Sequence, residues 1–228
     1  MRPFIIDPLF RALSVLPGVG ARNLKRFEKL TGGEKILDLL WHVPIDLIDR
    51  RAQPKISEAA IGQVATFKIT VQKHFRPTKR GAPYRVWCSD ETGSLNLVFF
   101  NAKADWLLQQ LPEGTQKIVS GKVEKFNDSL QIVHPDAIGN LDDLQRIAIY
   151  EPLYPLTEGL TNKTLRKALS AATNFIPDLP EWQDQSLLKR EGWQNWKESL
   201  LGLHRPDTPQ AILPDYPARR RLAYDELL

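Results

Sequence analysis

Residues 64–133 contain a series of strand-like runs, and they read VATFKITVQKHFRPTKRGAPYRVWCSDETGSLNLVFFNAKADWLLQQLPEGTQKIVSGKVEKFNDSLQIV. Near the start of this stretch Phe67, Ile69 and Val71 take every second position, between polar residues. A period of two predicts a strand with one buried face. Four further strand-like runs follow, at residues 84–89, 94–100, 117–125 and 129–134.

A short amphipathic helix follows the third strand, with Trp106, Leu107, Leu108 and Leu111 on its apolar face, and Pro112 and Gly114 end it. Three strands, one helix and two strands follow one another in the order of a five-stranded oligonucleotide-binding barrel, the OB-fold. The sequence therefore predicts an α+β chain with this barrel at residues 56–147. An N-terminal helical region at residues 1–55 precedes it, and a linker with a helical wrapping segment at residues 148–228 follows.

The predicted hairpin at residues 73–85 is strongly basic. It reads KHFRPTKRGAPYR, with five Lys/Arg, two aromatic residues and no carboxylate. Cations neutralise phosphates and aromatic rings stack on bases, so this composition favours single-stranded or distorted nucleic acid. The alternative is a solvated loop kept soluble by its charge. The candidate DNA contacts are Lys73, Phe75, Arg76, Lys79, Arg80, Tyr84 and Arg85.

Two adjacent phenylalanines end the third predicted strand. Neighbouring strand residues point to opposite faces, so Phe99 is expected in the core with Leu97, and Phe100 is expected outside with Val98. An outward phenyl ring beside Asn101 needs a cover, which is either a DNA base or a helix packed on that face. Phe100 is therefore the leading candidate for DNA stacking, with Phe99 and Asn101 beside it.

The N-terminal region is predicted to be helical between residues 7 and 50. Within it, residues 16–20 read LPGVG, which matches the hairpin of a helix-hairpin-helix element. The glycines permit a tight turn, and backbone amides at the start of the following helix can donate hydrogen bonds to a phosphate. A helix-packing turn without a ligand explains the same pattern, and the sequence leaves both alternatives open.

The C-terminal region is predicted to contain a helix that Thr161 caps and a Pro/Trp-rich segment at residues 177–217. Three arginines at residues 219–221 follow Pro217. They are candidates for phosphate binding, but a helix that spreads their charge over solvent is the interpretation we favour.

Composition excludes several classes of site. The chain has 228 residues, a net charge of +4 and a pI of about 9.1. Its one cysteine, Cys88, excludes an internal disulfide. No apolar run approaches the length of a membrane span, and the N-terminus lacks the apolar core of a signal peptide, so we expect a cytoplasmic location and no membrane partner. The histidines show no metal-binding spacing, and Gly121-Lys122 lacks the first glycine of a phosphate loop. We expect no cofactor, metal or catalytic residue in this chain.

Short motifs spread along the chain carry a family resemblance. They are Leu16-Pro17-Gly18-Val19-Gly20, Asp38-Leu39-Leu40, His42-Val43-Pro44, Asp49-Arg50, Phe99-Phe100-Asn101, His134-Pro135, Tyr154-Pro155-Leu156-Thr157-Glu158-Gly159, Leu203-His204-Arg205-Pro206, Ala218-Arg219-Arg220-Arg221-Leu222 and Asp225-Glu226-Leu227-Leu228. In this order and spacing, the chain resembles the amino-terminal region of RecG, the bacterial ATP-dependent helicase family of branched DNA.

The resemblance implies a wedge domain that sits at a DNA fork and stacks aromatic residues on the separated bases. The family's junction aromatic falls on Phe100, whereas a second aromatic of some relatives falls on Ala104. The resemblance also implies two motor lobes after Leu228, which would bind ATP and Mg²⁺. By itself this chain is then expected to bind stalled forks and Holliday junctions as a monomer, without ATPase activity.

Implied partners are branched DNA, the motor lobes in cis and the single-stranded-DNA-binding protein. Two other functions fit the same fold from the residues alone. One is a protein-interaction OB module, since the segment at residues 177–217 can dock a partner. The other is an RNA-binding OB protein.

Overall fold

The computed structural model describes residues 3–79 and 81–227. The α-helices are α1 (Ala21–Thr31), α2 (Ile36–Leu40), α3 (Ala104–Gln110), α4 (Leu144–Ile147), α5 (Asn162–Ala172), α6 (Gln185–Glu191), α7 (Trp196–His204) and α8 (Pro217–Glu226). The strands are β1 (Asp46–Asp49), β2 (Val64–Phe75), β3 (Tyr84–Ser89), β4 (Ser94–Phe99), β5 (Gln116–Phe126), β6 (Ser129–Val133), β7 (Ala137–Gly139) and β8 (Tyr150–Leu153). Short 3₁₀-helices lie at Phe4–Phe10, Leu13–Val15, Ile56–Glu58, Leu141–Asp143, Thr173–Phe175 and Pro209–Ile212.

The chain forms two compact units. The barrel unit comprises residues 48–151, and the helical unit comprises residues 1–47 and 152–228. The sequence suggested three consecutive regions, whereas the structure groups both ends of the chain in one unit. The reason is a shared core, in which Leu39 of α2 and Leu165 of α5 belong to one buried apolar cluster.

The barrel closes because β2 pairs with two strands. Its first half, from Val64, runs antiparallel to β5, and its second half pairs with β3 through a bulge between Val71 and Lys73. The sheet continues from β3 to β4, β6 and β5, and β4 and β6 run parallel. This is the five-stranded OB-fold that the sequence predicts, with β7 added beside β5 and α3 between β4 and β5.

The alternating residues build the barrel core as expected. Phe67 and Leu97 are buried together with Phe99, in one apolar cluster. Val98 differs from the prediction, since it is buried although its side chain belongs to the opposite face. It stands between Arg85 of β3 and Val133 of β6 in the ladder, and these flanking residues can shield it.

The N-terminal segment is less regular than its leucine spacing suggests. The residues before Gly20 form two short 3₁₀-helices, and the first contains Pro8. Proline lacks a backbone donor and interrupts a continuous α-helix. The leucines are buried nonetheless, because Leu9 and Leu13 join the core of the helical unit.

The arginines at the start of α8 are not spread over solvent as expected. Arg221 is fully buried, and its guanidinium forms ion pairs with Glu181 at 2.8 Å and Asp225 at 2.8 Å. Arg219 donates hydrogen bonds to backbone carbonyls, and Arg220 pairs with Glu191 at 2.7 Å. All three arginines therefore have partners within the helical unit, which argues against a role in phosphate binding.

A buried histidine in the same unit makes its stability depend on pH. His204 hydrogen-bonds the Leu40 carbonyl through Nε2 at 2.9 Å, and Nδ1 lies 3.0 Å from the Tyr154 hydroxyl. Burial lowers the pKa of His204 to about 4. In the unfolded chain its pKa is about 6.5, so below that pH the unfolded state binds a proton that the folded state does not.

Stability should therefore fall as the pH drops from 6.5 towards 4. Between pH 7 and pH 5 we expect His204 alone to lower the free energy of unfolding by about 2 kcal/mol. Urea unfolding at several pH values measures this change. A His204→Gln variant, although less stable at pH 7, should show a shallower pH dependence. An equally steep dependence in that variant would rule out His204 as the cause.

Candidate nucleic-acid interface

The basic hairpin forms between β2 and β3, and its cations face solvent. Lys73 and Arg85 lie on the two strands, while Arg76 and Lys79 lie in the connecting loop, and all four are exposed. Arg80 lies outside the described residues. In the part of the chain that the structure describes, none of these four cations forms an ion pair, so their charge is available to phosphates.

Tyr84 does not lie on the surface of this hairpin. It is buried in the barrel core, and its hydroxyl lies 3.0 Å from His74 Nδ1. His74 Nε2 in turn donates to the Leu111 carbonyl at 2.7 Å. Through His74, Tyr84 thus connects the start of β3 to the C-terminal end of α3. The prediction that Tyr84 contacts DNA is therefore wrong for this conformation, because its ring cannot reach a base.

Phe100 lies directly after β4 at the edge of the barrel, and 45% of its surface is exposed. Its backbone N–H donates to Nε2 of His134 at 3.2 Å, and the two rings lie 5.8 Å apart. The backbone N–H of His134 donates to the Val98 carbonyl at 2.8 Å. The phenyl ring is therefore supported by His134, the residue that follows β6, and nearly half of the Phe100 surface faces solvent.

The backbone around Phe100 takes unusual angles. Asn101 has φ of 54° and His134 has φ of 47°, which are left-handed values that few residues other than glycine adopt. These two residues turn the chain away from the sheet at the ends of β4 and β6. Asn101 is exposed beside Phe100, whereas Phe99 is buried in the core and is available only as support.

Sequence reasoning missed three residues of this surface. His134 belongs to the motif His134-Pro135, but the sequence does not predict its place beside Phe100, which follows from the parallel pairing of β4 and β6. Trp87 and Phe126 are exposed on the outer face of the barrel. The alternation with buried Val86 and Cys88 could have identified Trp87, since it predicts an outward tryptophan.

The LPGVG segment forms a tight turn in the helical unit. Gly18 has φ of 83°, and the turn is closed by a Val19 N–H bond to the Leu16 carbonyl at 3.2 Å. Gly20 precedes α1 without a side-chain cap, so the first amides of α1 lack a side-chain acceptor there. Leu16 and Val19 are buried, which also suits a packing turn. Both interpretations of this segment stand.

The described residues can also be assessed for metal-ligand groups and for the reactivity of the cysteine. No group of three or more His, Cys, Asp or Glu side chains that could hold a metal occurs among them. Burial raises the pKa of the Cys88 thiol to about 12, so the thiolate is disfavoured. None of the helices described is long and apolar enough to cross a membrane.

Comparison with known proteins places the chain in a family. The profile of the RecG wedge domain matches residues 14–176. The ATP-dependent DNA helicase RecG of Escherichia coli K12 is 31% identical over 225 residues, which cover 95% of this chain and 32% of that protein. RecG of Aquifex aeolicus is 23% identical over 210 residues, covering 87% of this chain and 26% of that protein.

A solved structure of RecG bound to a three-way DNA junction matches with a TM-score of 0.80 and 27% identity. It covers 96% of this chain and 30% of that one. The chain thus spans roughly a third or less of the relatives it matches. Family profile, sequence identity and three-dimensional similarity agree, and the chain belongs to the RecG wedge domain family.

Proposed function

We propose that this chain is the branched-DNA-binding wedge of an ATP-dependent DNA helicase. Such a helicase would remodel stalled replication forks and Holliday junctions in DNA repair and recombination. The observation that carries the proposal is the exposed Phe100 ring, held outward by His134 at the edge of an OB-fold with unpaired cations. The similarity to RecG bound to a three-way junction supports the same function.

The proposed mechanism is passive. Phosphate contacts from the hairpin cations position the DNA arms, and Phe100 caps a base pair exposed where the strands part. Stacking of a base on an aromatic ring contributes about 1–3 kcal/mol. Motor lobes in cis would supply ATP binding with Mg²⁺ and the movement of the DNA. We further propose a cytoplasmic, monomeric protein, with the single-stranded-DNA-binding protein as a candidate partner.

The direct test is the wild-type preference among nucleic acids. Fluorescence anisotropy should show tighter binding to a three-way fork than to a linear duplex of the same length. Single-stranded RNA, added as a competitor, should displace fork DNA poorly. Equal affinity for fork and duplex would overturn the proposal, and stronger competition by RNA would favour an RNA-binding protein instead.

Salt dependence tests the hairpin cations. If all five bind duplex phosphates, the slope of log affinity against log salt concentration should be about −4 to −5. Replacing Arg76 and Lys79 by glutamine should make the slope shallower by about 2, since each lost phosphate contact removes about 0.9.

The matched control for this experiment removes two positive charges elsewhere in the barrel unit. Lys55 pairs with Glu91, and Arg146 pairs with Asp143, so both cations are already neutralised. Glutamine at these two positions should leave the slope close to that of the wild type. If both double variants change it equally, the hairpin cations have no special role in binding.

A further inference from the structure

Two helices of the helical unit, α1 and α5, hold a concentration of positive charge apart from the barrel. Together they contain seven Lys or Arg residues and one acid, Glu28, which gives a net charge of +6. The whole chain has a net charge of +4, so the rest of the chain carries a net charge of −2. Neither Glu28 nor Glu158, which precedes α5, forms an ion pair among the described residues. The positive charge is therefore concentrated on these helices and is not neutralised by their nearest acids in the sequence.

Five of these cations form the exposed sides of the two helices. They are Arg22, Lys25 and Lys29 on α1, and Lys163 and Lys167 on α5. Spacings of three and four residues place the members of each set on one side of their helix. Within residues 3–79 and 81–227, none of the five has an ion-pair partner. We call these five residues the basic helical surface.

The starts of α1 and α5 lie against each other, which joins the two sets of cations. A Cβ atom added at Gly18, in the turn before α1, would lie 3.8 Å from the Thr164 methyl group in the first turn of α5. The side chain of Arg26 packs on Gly159, just before α5, where an added Cβ would lie 2.7 Å from the guanidinium carbon. Arg26 and Arg22 are one helical turn apart on the same side of α1. The cations of the two first turns therefore lie close together.

The chemistry of this surface fits the outside of a nucleic-acid duplex. Apart from the five cations, the exposed residues of α1 and α5 are Ala21 and Ser170, so the surface has no aromatic ring for base stacking. Duplex DNA keeps its bases inside and presents one negative charge per about 1.7 Å of its axis. Arg22 and Lys29 lie about 10 Å apart along α1, which matches about three base steps. A helix that lies on a membrane would instead need apolar side chains beside its cations.

We propose that the basic helical surface binds the phosphate backbone of a duplex arm of the fork. Phosphate contacts of this kind fix the position of a duplex without reading its sequence. Phe100 recognises the junction, and the basic helical surface holds an arm. This inference rests on the proposed function, since it assumes a branched substrate. It adds a second DNA contact, in the helical unit, whose contribution to the salt dependence comes on top of that of the hairpin cations.

The test is the triple variant Arg22→Gln, Lys25→Gln and Lys163→Gln, measured by fluorescence anisotropy on a three-way fork with duplex arms and on a linear duplex. Both affinities should fall by about tenfold or more, and the slope of log affinity against log salt concentration should become shallower by about 3. The ratio of the two dissociation constants should stay at the wild-type value, because Phe100 is unchanged. The charge-conserving variant Arg22→Lys, Lys25→Arg and Lys163→Arg should bind both DNAs like the wild type.

The matched control removes three positive charges that already have acidic partners in the helical unit. Arg190 and Arg220 both pair with Glu191, and Lys197 pairs with Asp178 at 2.8 Å. Glutamine at these three positions should leave affinity and slope close to those of the wild type, and circular dichroism checks that all variants fold. If both glutamine variants change binding equally, or if neither changes it, the inference is wrong. If the wild type itself binds the fork no more tightly than the linear duplex, the proposed function fails instead.

Discussion

Replacing Arg221 by alanine is expected to lower the free energy of unfolding by about 3–5 kcal/mol. The side chain is fully buried between Glu181 and Asp225, and its guanidinium lies 5.2 Å from the Trp182 ring. Removing the cation leaves two carboxylates in a buried site without their partner. An unpaired buried charge costs far more than a surface ion pair contributes.

The neighbouring Arg220 offers a matched control. It is half exposed and pairs with Glu191, so Arg220→Ala should cost less than about 1 kcal/mol. Urea unfolding followed by circular dichroism compares the two variants with the wild type. Similar losses for both would mean that the buried ion pairs of Arg221 do not stabilise the helical unit as the structure suggests.

The barrel could be predicted because its strands and turns are encoded by short, local sequence patterns. Alternation along β2, β3 and β4 assigns the buried face, and Asn127-Asp128 takes the left-handed angles of a tight hairpin turn. The same alternation also contained the answer for Tyr84, which shares a face with Val86 and Cys88. The basic composition of the hairpin favours an exposed Tyr84, whereas this pattern places the residue inside the barrel.

The features that sequence could not supply depend on distant residues. The burial of Arg221 requires Glu181, which is forty residues away and belongs to no recognisable motif. The position of His134 beside Phe100 requires the parallel pairing of β4 and β6, which joins strands separated by α3 and β5. Likewise, the common core of the two chain ends becomes visible only in three dimensions.

Replacing Phe100 by alanine is expected to weaken binding to a three-way fork by roughly 5-fold to 150-fold. This range corresponds to the loss of about 1–3 kcal/mol of base stacking. Binding to a linear duplex should change less than two-fold, because the hairpin cations remain. Phe100→Trp retains a stacking surface and should bind the fork nearly as well as the wild type.

The decisive measurement is the ratio of the duplex to the fork dissociation constant, obtained by fluorescence anisotropy at one salt concentration. It tests the hypothesis that an outward ring at Phe100, supported by His134, recognises the point where two strands part. If it is correct, this ratio is high for the wild type and falls towards one for Phe100→Ala. An unchanged ratio in that variant, with or without an equal loss on both DNAs, would contradict it.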